Sequence, residues 1–406
     1  MAITDKEQGV WGLDQVYNKI NQGSIWEYSG ALVISSLGEN DNGQLGVNDI
    51  VDRSSPVQVP TGSSDWASLM RLDAGSEVNQ QDISGAVKAD GSLWFWGGNY
   101  GSGMDAGSPG NNYSSPTQLP GTWANISYGG EGLYQGVRAD NTLWAWGSNW
   151  GGALGQGQTP AQLGSSNSPL QIPGTTWATG EDKIRNGNYY MHAIRTDGTL
   201  WAWGGGGRKV LGLGPSHPAN AYCTSPKQIP GTSWTRMFSA GGFEFSGCLR
   251  TDGTLWQWGR NDYGQLGQNS TSEFSSPKQV PGTDWSQAAA NYDSSGAVRT
   301  DGTLWMWGRN TQGELGQNSR QDFSSPVQIP GTTWSSFNGS RSGSCYGTKT
   351  DGTLWAWGCN NRGQLGQNTG GPGTYLSSPV QIPGTGWNTT KGVAAGARHA
   401  YAVNTL

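Results

Sequence analysis

Only three histidines and four cysteines occur in 406 residues, and charged residues make up 13% of the chain. That scarcity leaves little material for acid–base, metal or thiol chemistry, and no Cys-x-x-Cys, His-Glu-x-x-His, Gly-x-Ser-x-Gly, P-loop or dinucleotide fingerprint is present. Catalytic residues, cofactors and bound metals are therefore not expected. Apolar residues reach 33% with no run of eighteen, so no membrane insertion is predicted. The start Met1-Ala2-Ile3-Thr4-Asp5-Lys6-Glu7 lacks a signal-peptide apolar region, which predicts a soluble chain outside the usual secretory route. A net charge of −5 argues against electrostatic capture of nucleic acid.

What is abundant is tryptophan and glycine, at 22 and 67 residues. A few very large side chains packed over backbone that carries none can build a core from a polar composition. The phrase Thr300-Asp301-Gly302-Thr303-Leu304-Trp305-Met306-Trp307-Gly308 recurs, with further copies starting at Asp90, Asp140, Asp197, Asp252 and Asp351. Asp-Gly, and Asp140-Asn141 in one copy, suit a two-residue type I′ turn, so each phrase reads as a β-hairpin. Counting outward from Asp301-Gly302 places Val298 opposite Trp305 and Gly296 opposite Trp307. Gly85 and Gly247 then oppose Trp96 and Trp258, while Gln135, His192 and Tyr346 break the pattern. The same count puts Cys345 opposite Gly358, so Cys345 and Cys359 point apart and free thiols are expected.

Three more landmarks recur seven times each: a Ser-Pro ending at Pro56, Pro116, Pro169, Pro226, Pro277, Pro326 and Pro379, a lone tryptophan after it, and the glycine closing each phrase. The closing glycines fall 49 to 59 residues apart, enough for four short strands and their turns, which is one propeller blade. In the period around Trp307 the strands are predicted near 296–300, 304–307, 326–329 and 334–338. The seventh hairpin is split: Ala400 to Thr405 matches its first strand and Ala31 to Gly38 its second, with Leu37 in the Trp307 position. Joining the terminal strands closes the ring and removes exposed edges.

Residues 1–29 lie outside the repeats, and residues 30–406 are read as the ring. Leu13, Val16, Tyr17 and Ile20 fall at helical spacing with Gly23 as a stop, predicting a short amphipathic helix. Its stripe, with Trp11, either caps its own domain or docks on a neighbouring subunit.

The repeats resemble the regulator of chromosome condensation repeat family, through Asp-Gly-Thr-Leu-Trp-Gln-Trp-Gly at 252–259, Gly-Arg-Asn-Asp-Tyr-Gly-Gln-Leu-Gly at 259–267 and the Ser-Pro element. The resemblance covers about residues 30 to 406 and implies a seven-bladed propeller. The family's Gly-x-x-His survives once, as Gly396-Ala397-Arg398-His399. Its founding member is a nucleotide exchange factor for a small GTPase, but no matching exchange loop is found in this chain. The leader Gly9-Val10-Trp11-Gly12-Leu13-Asp14-Gln15-Val16-Tyr17 resembles the beginnings of structural proteins of marine bacteriophages.

Several residue sets are candidates for recognition. A basic residue stands two places before each hairpin aspartate: Lys88, Arg138, Arg195, Arg250, Arg299 and Lys349, with Asn404 in the seventh place. Either they form a positive collar for an anionic partner, or each stem lies over a cross-strand leucine with its head in water or on a turn carboxylate. Aromatics before Ser-Pro (Tyr113, Tyr222, Phe274, Phe323, Tyr375) are either stacking platforms or inter-blade packing. The repeats disagree most at 98–113, 150–168, 205–222 and 369–376, where Tyr100, Trp150, Arg208, Lys209 and His217 are candidate ligand contacts. The hairpin aspartates read as turn residues, and Glu39-Asn40-Asp41-Asn42-Gly43 as an Asx-type turn rather than a cation loop.

The fold class expected is all-β, a seven-bladed β-propeller closed by pairing of the N- and C-terminal strands and preceded by a short helix. The function expected is a non-enzymatic virion protein, in a phage tail or on a capsid surface, made in the host cytoplasm and binding other virion proteins. A lectin-like module for host surface glycan or protein and an exchange-factor-like regulator are the alternatives.

Overall fold

In a computed structural model the chain builds seven sheets that stand as blades round one axis, antiparallel except where the short Arg71–Leu72 joins Asn125–Gly129 of blade 2 in parallel. The structure describes residues 32–59, 66–69, 71–72, 83–98, 112–130, 132–180, 182–218, 221–239, 244–387, 393–395 and 399–405. The leader residues Trp11, Leu13, Val16, Tyr17 and Ile20, and Tyr100, lie outside them. Blades 1 to 6 run in chain order over 66–119, 125–172, 184–229, 234–279, 285–328 and 334–382. Blade 7 combines Val393–Ala395 and His399–Thr405 with Leu32–Gly38 and Arg53–Gln58. Among the described residues no helix is long and apolar enough to cross a membrane.

Blade 5 shows the plan. Trp285–Ala290, Ser294–Arg299, Leu304–Gly308 and Phe323–Gln328 pair in chain order, and the Ser-Pro strand is the last. First strands of successive blades pack on each other, so they line the axis and the Ser-Pro strands form the outer wall.

The hairpin register differs from the expected one by a single residue. Gly302 N–H donates to the Arg299 carbonyl at 3.0 Å and Arg299 N–H to the Thr303 carbonyl at 2.9 Å, with Gly302 at φ +77°. The loop is therefore Thr300-Asp301-Gly302, a type I turn closed by a left-handed glycine, not a two-residue type I′ turn. Val298 faces Leu304, Gly296 faces Met306 and Ser295 faces Trp307. Gly85 likewise faces Phe95 and Gly247 faces Gln257, so the proposed glycine–tryptophan pairs are not formed. Glycine is still required at 296 because a Cβ there would lie 2.2 Å from Met306 Sδ and 2.6 Å from Phe337. Cys345 faces Trp357, which sets it diagonally from Cys359 on the same face. All four cysteines are free; a diagonal pair sits roughly 7–8 Å apart, beyond comfortable disulfide reach.

Ring closure follows the expectation. Leu32–Gly38 pairs antiparallel with His399–Thr405 over its whole length, Leu37 facing Ala400 as Trp307 faces Ser295. Leu37 is buried against Gly366, in the place that Trp307 takes against Gly267. The large indoles tie blade to blade: Trp203, Trp258, Trp307 and Trp357 are fully buried, and each donates its Nε1–H to a carbonyl of the preceding blade's loop, on Ala153, Val210, Gln265 and Glu314. Burying about 200 Å² of each ring at about 25 cal/mol per Å² gives a gross contribution of about 5 kcal/mol per blade junction.

Candidate functional site

Antiparallel strand order places the hairpin turns and the Pro-Gly links between blades on one rim, and the loops after each first and third strand on the other. The two rims have different chemistry.

On the turn rim the basic residues are neither a free collar nor laid over leucines. Trp285 is the cross-strand partner of Arg299, and the guanidinium carbon sits 4.6 Å from the ring centres of both Trp285 and Trp305. Arg138, Arg195, Arg250 and Lys349 repeat the arrangement with Trp123 and Trp144, Trp177 and Trp201, Trp234 and Trp256, and Trp334 and Trp355, at 4.0 to 5.0 Å. Lys88 stands 4.4 Å over Trp94. A half-buried cation between two indole faces is compensated by ring quadrupoles, which contribute about 2 kcal/mol when desolvated. The sequence held the signal, a tryptophan six residues after each basic residue and a lone tryptophan before it, but the cross-strand pairing was needed to bring the three together.

The aspartates on this rim are turn residues, as expected. Asp301 Oδ1 accepts the Thr303 hydroxyl at 2.6 Å and the Thr303 N–H at 2.9 Å, and Thr303 Oγ1 accepts the Trp305 Nε1–H at 2.9 Å. The same chain runs through Asp140, Asp197, Asp252 and Asp351. The hydroxyl bond first, then the backbone N–H, holds these carboxyls below the usual range. The aspartate, the threonine and the third-strand indole are thus joined in holding the turn. Arg299→Ala should lower stability by about 1–3 kcal/mol through loss of both ring contacts and the stem's packing, while Arg299→Lys, matching 88 and 349, should keep most of it. Denaturant titration reads this out; an unaltered midpoint for Arg299→Ala would remove the sandwich as a stabilising element.

The opposite rim carries the loops that break the repeat. In blade 2 the third strand leads into a 3-10 turn, Trp150–Gly152, and Trp150 is 50% exposed. Its indole meets Tyr189, from the first loop of blade 3, with ring centres 4.3 Å apart, and Tyr222 at 5.8 Å edge to face. Tyr222, at the head of the blade 3 Ser-Pro strand, is 48% exposed. With Asn188, Gly205, Gly206, Gly207, Val210 and Glu244 these rings line a cleft of about 370 Å³. Sequence reasoning singled out Trp150 and Tyr222 but not Tyr189, Asn188 or Glu244, which reach the cleft only through contacts between blades.

Arg208 and Lys209 occupy the equivalent turn of blade 3, at φ +50° and +65°, where blade 2 has Gly151 and Gly152. Left-handed backbone costs about 1–2 kcal/mol per non-glycine residue, and half-exposed ion pairs to blade 4, about 0–1 kcal/mol each, offset part of it. Arg208 pairs with Asp262, with Glu273 at 2.9 Å and with Glu244 at 3.9 Å, and Lys209 with Glu273 at 3.6 Å. Arg260 extends the network to Asp262 and Asp293, and Arg309 joins Asp293. Burial raises the Glu244 carboxyl, opposed by Arg208 and Arg260; burial also raises Asp293, more than Arg260 and Arg309 lower it. Burial also raises Asp262, but Arg260 and Arg208 together outweigh it and hold the carboxyl low.

The other candidates scatter. His217 lies below this rim, and burial, then Lys227, lowers its pKa. Tyr113 is half-buried on the blade 1–2 core, Phe274 and Phe323 are half-buried, and Tyr375, 40% exposed, lies 3.8 Å under the Arg320 guanidinium. Asn40 closes the loop after Gly38 on itself: its side chain accepts from Leu45 N–H and donates to Asp49, and its N–H donates to Asp52. No group of three metal-ligating side chains occurs among the described residues.

Residues 252–298, 301–340 and 351–403 match the Regulator of chromosome condensation (RCC1) repeat. Human E3 ubiquitin-protein ligase HERC2 is 29% identical over 113 residues, 28% of this chain and 2% of the ligase's length. The RCC1 domain-containing protein RUG3, mitochondrial, of Arabidopsis thaliana is 28% identical over 129 residues, 31% of this chain and 27% of its own. The chain thus spans a small part of the curated relatives it matches. Among solved structures, human WBSCR16 superposes with a TM-score of 0.76 at 19% identity, covering 92% of this chain and 99% of its own. Prp20p from Saccharomyces cerevisiae, studied for its binding properties to Gsp1p and histones, superposes with a TM-score of 0.76 at 16% identity, covering 93% and 92%.

Proposed function

We propose that this propeller of RCC1 repeats is a non-enzymatic protein–protein interaction ring of a bacteriophage virion, attached through residues 1–29 and presenting its variable rim outward. The observation that supports an interaction role is the contrast between rims. The turn rim repeats one arrangement from blade to blade, Asp–Thr–Trp chains beside cation sandwiches, whereas the loop rim departs from the repeat and holds half-exposed aromatics beside a charged network. Repeat proteins bind with the face on which their insertions fall. The virion setting is supported by the resemblance of Gly9 to Tyr17 to phage structural leaders, and it makes tail or capsid proteins the partners and the host cytoplasm the site of synthesis.

The test is incorporation. Particles assembled with the full chain should carry it through density-gradient purification, and particles assembled with a chain lacking residues 1–29 should not. Full occupancy by the shortened ring overturns the docking role of the leader; absence of the full chain from particles overturns the virion setting.

A further inference from the structure

We infer that the cleft between Trp150, Tyr189 and Tyr222 is a carbohydrate site that takes a neutral pyranose of a surface glycan. The inference does not depend on where the ring is carried. Three features of the cleft select this ligand class.

The first is the arrangement of the rings. Trp150 contacts Tyr189 at 4.3 Å with planes 42° apart, and Tyr222 meets the indole edge to face at 5.8 Å and 65°. The inclined Tyr189 and Tyr222 rings buttress the half-exposed Trp150 indole, which leaves one apolar stacking face, whereas a site for a lysine or quaternary ammonium needs rings on separate sides of the charge. The nearest acid, Glu244, shares its charge with Arg208 at 3.9 Å, so a second full cation would compete with that pair while its oxygens remain acceptors. A platform half open to solvent suits a flat ligand with an apolar C–H face.

The second is the polar lining. Asn188 lines the cleft and its Oδ1 has no hydrogen-bond partner, so no bond to that acceptor opposes its turning to a ligand. The Glu244 carboxylate stands on the other side and reaches Gly207, where a Cβ would lie 2.5 Å from its Oε1. A ligand with hydroxyl donors on its edge and an apolar face satisfies both walls, as neither a hydrocarbon nor a simple cation does.

The third is size and floor. Gly205, Gly206 and Gly207 leave the base of the cleft without side chains, so a ligand can approach backbone directly. The volume of about 370 Å³ is at the lower end of small-molecule sites and holds about one or two sugar rings.

The experiment presents the full chain with a panel of methyl glycosides of glucose, galactose, mannose, fucose and N-acetylglucosamine, and reads saturation transfer to sugar protons by nuclear magnetic resonance. At least one glycoside should receive transfer, strongest on one C–H face. Trp150→Ala should weaken binding about tenfold or more, and Tyr222→Ala should also weaken it; both side chains are half-exposed, so both variants should keep the parent melting temperature. Absence of transfer to every glycoside, transfer unaffected by Trp150→Ala, or preferential binding of tetramethylammonium to the same rings overturns the assignment.

Discussion

Deleting residues 397–406 should open the ring and abolish a single cooperative unfolding transition. The deletion removes His399–Thr405, which lies between Leu32–Gly38 and Val393–Ala395 in the closing sheet. Seven residue pairs on one side and three on the other are lost, leaving two unpaired edges facing each other. Ala400 and Ala402 leave the core they share with Leu37, Tyr346, Leu354, Trp387 and Val393, and the 3.2 Å contact between His399 Nε2 and Ser84 Oγ goes with them. The losses fall on one blade, yet each blade packs on both neighbours, so the cost approaches the folding free energy of a whole domain, roughly 5–15 kcal/mol. Calorimetry should show a broadened transition at much lower temperature, and limited proteolysis new cuts on both sides of the gap. An unchanged melting temperature would mean that blade 7 contributes nothing to closure. Because Leu32 already faces Thr405, a circular permutant joining these two ends, with new termini in a loop-rim insertion, should instead fold as the parent does.

How much of this was legible in the sequence depends on the kind of contact. Blade count, strand positions and the split seventh hairpin came from repetition, which reports on each blade many times over: strands expected at 304–307 and 334–338 are Leu304–Gly308 and Trp334–Gly339. The hairpin register was missed because Asp-Gly serves two turns. The same dipeptide closes a type I′ turn or ends a type I turn with a left-handed glycine, and a one-residue change of loop length moves every cross-strand partner. In the three-residue loop that forms, the Thr303 hydroxyl joins Asp301 to Trp305.

The same shift concealed the cation sandwiches. With Arg299 set against Leu304 the guanidinium lay on the opposite face from Trp305; set against Thr303 it shares that face, and Trp285, its partner on the first strand, supplies the second ring. The cleft on the other rim was half legible. Trp150 was visible as a departure from the repeat, but Tyr189 and Glu244 lie 39 and 94 residues further along and meet it only because blades 2, 3 and 4 are neighbours. Sequence periodicity fixes what happens within a blade, and contacts between non-equivalent loops of different blades are what it does not encode.

One departure from the repeat yields the second large expected effect: Glu314→Gln should stabilise the ring at neutral and alkaline pH and leave it unchanged near pH 4. Gln44, Gln265 and Gln364 occupy this loop position in other repeats, and the Oε1 of each accepts the backbone N–H two residues earlier, from Asn42, Tyr263 and Arg362 at 2.7 to 2.9 Å. Glu314 makes the same bond, accepting Gln312 N–H at 2.7 Å, but with a carboxylate 5% exposed. Burial pushes its pKa up from 4.5 to about 7, opposed by the backbone N–H groups of Glu314 and Gln312 and by Arg309. The direction is set by which state holds the proton. Below pH 4.5 the group is protonated folded and unfolded and contributes no penalty; between 4.5 and 7 the unfolded chain ionises first, so stability falls as pH rises; above 7 a buried charge remains, at a full cost of about 3 kcal/mol. Glutamine carries the acceptor without the charge, and its amide is accommodated at 44 and 265, where the buried Nε2 has no partner either. Denaturant unfolding of parent and variant should therefore coincide at pH 4 and separate progressively to pH 8, with the variant more stable. Parallel curves across that range would show that Glu314 is hydrated in the folded ring and that its burial has no electrostatic consequence.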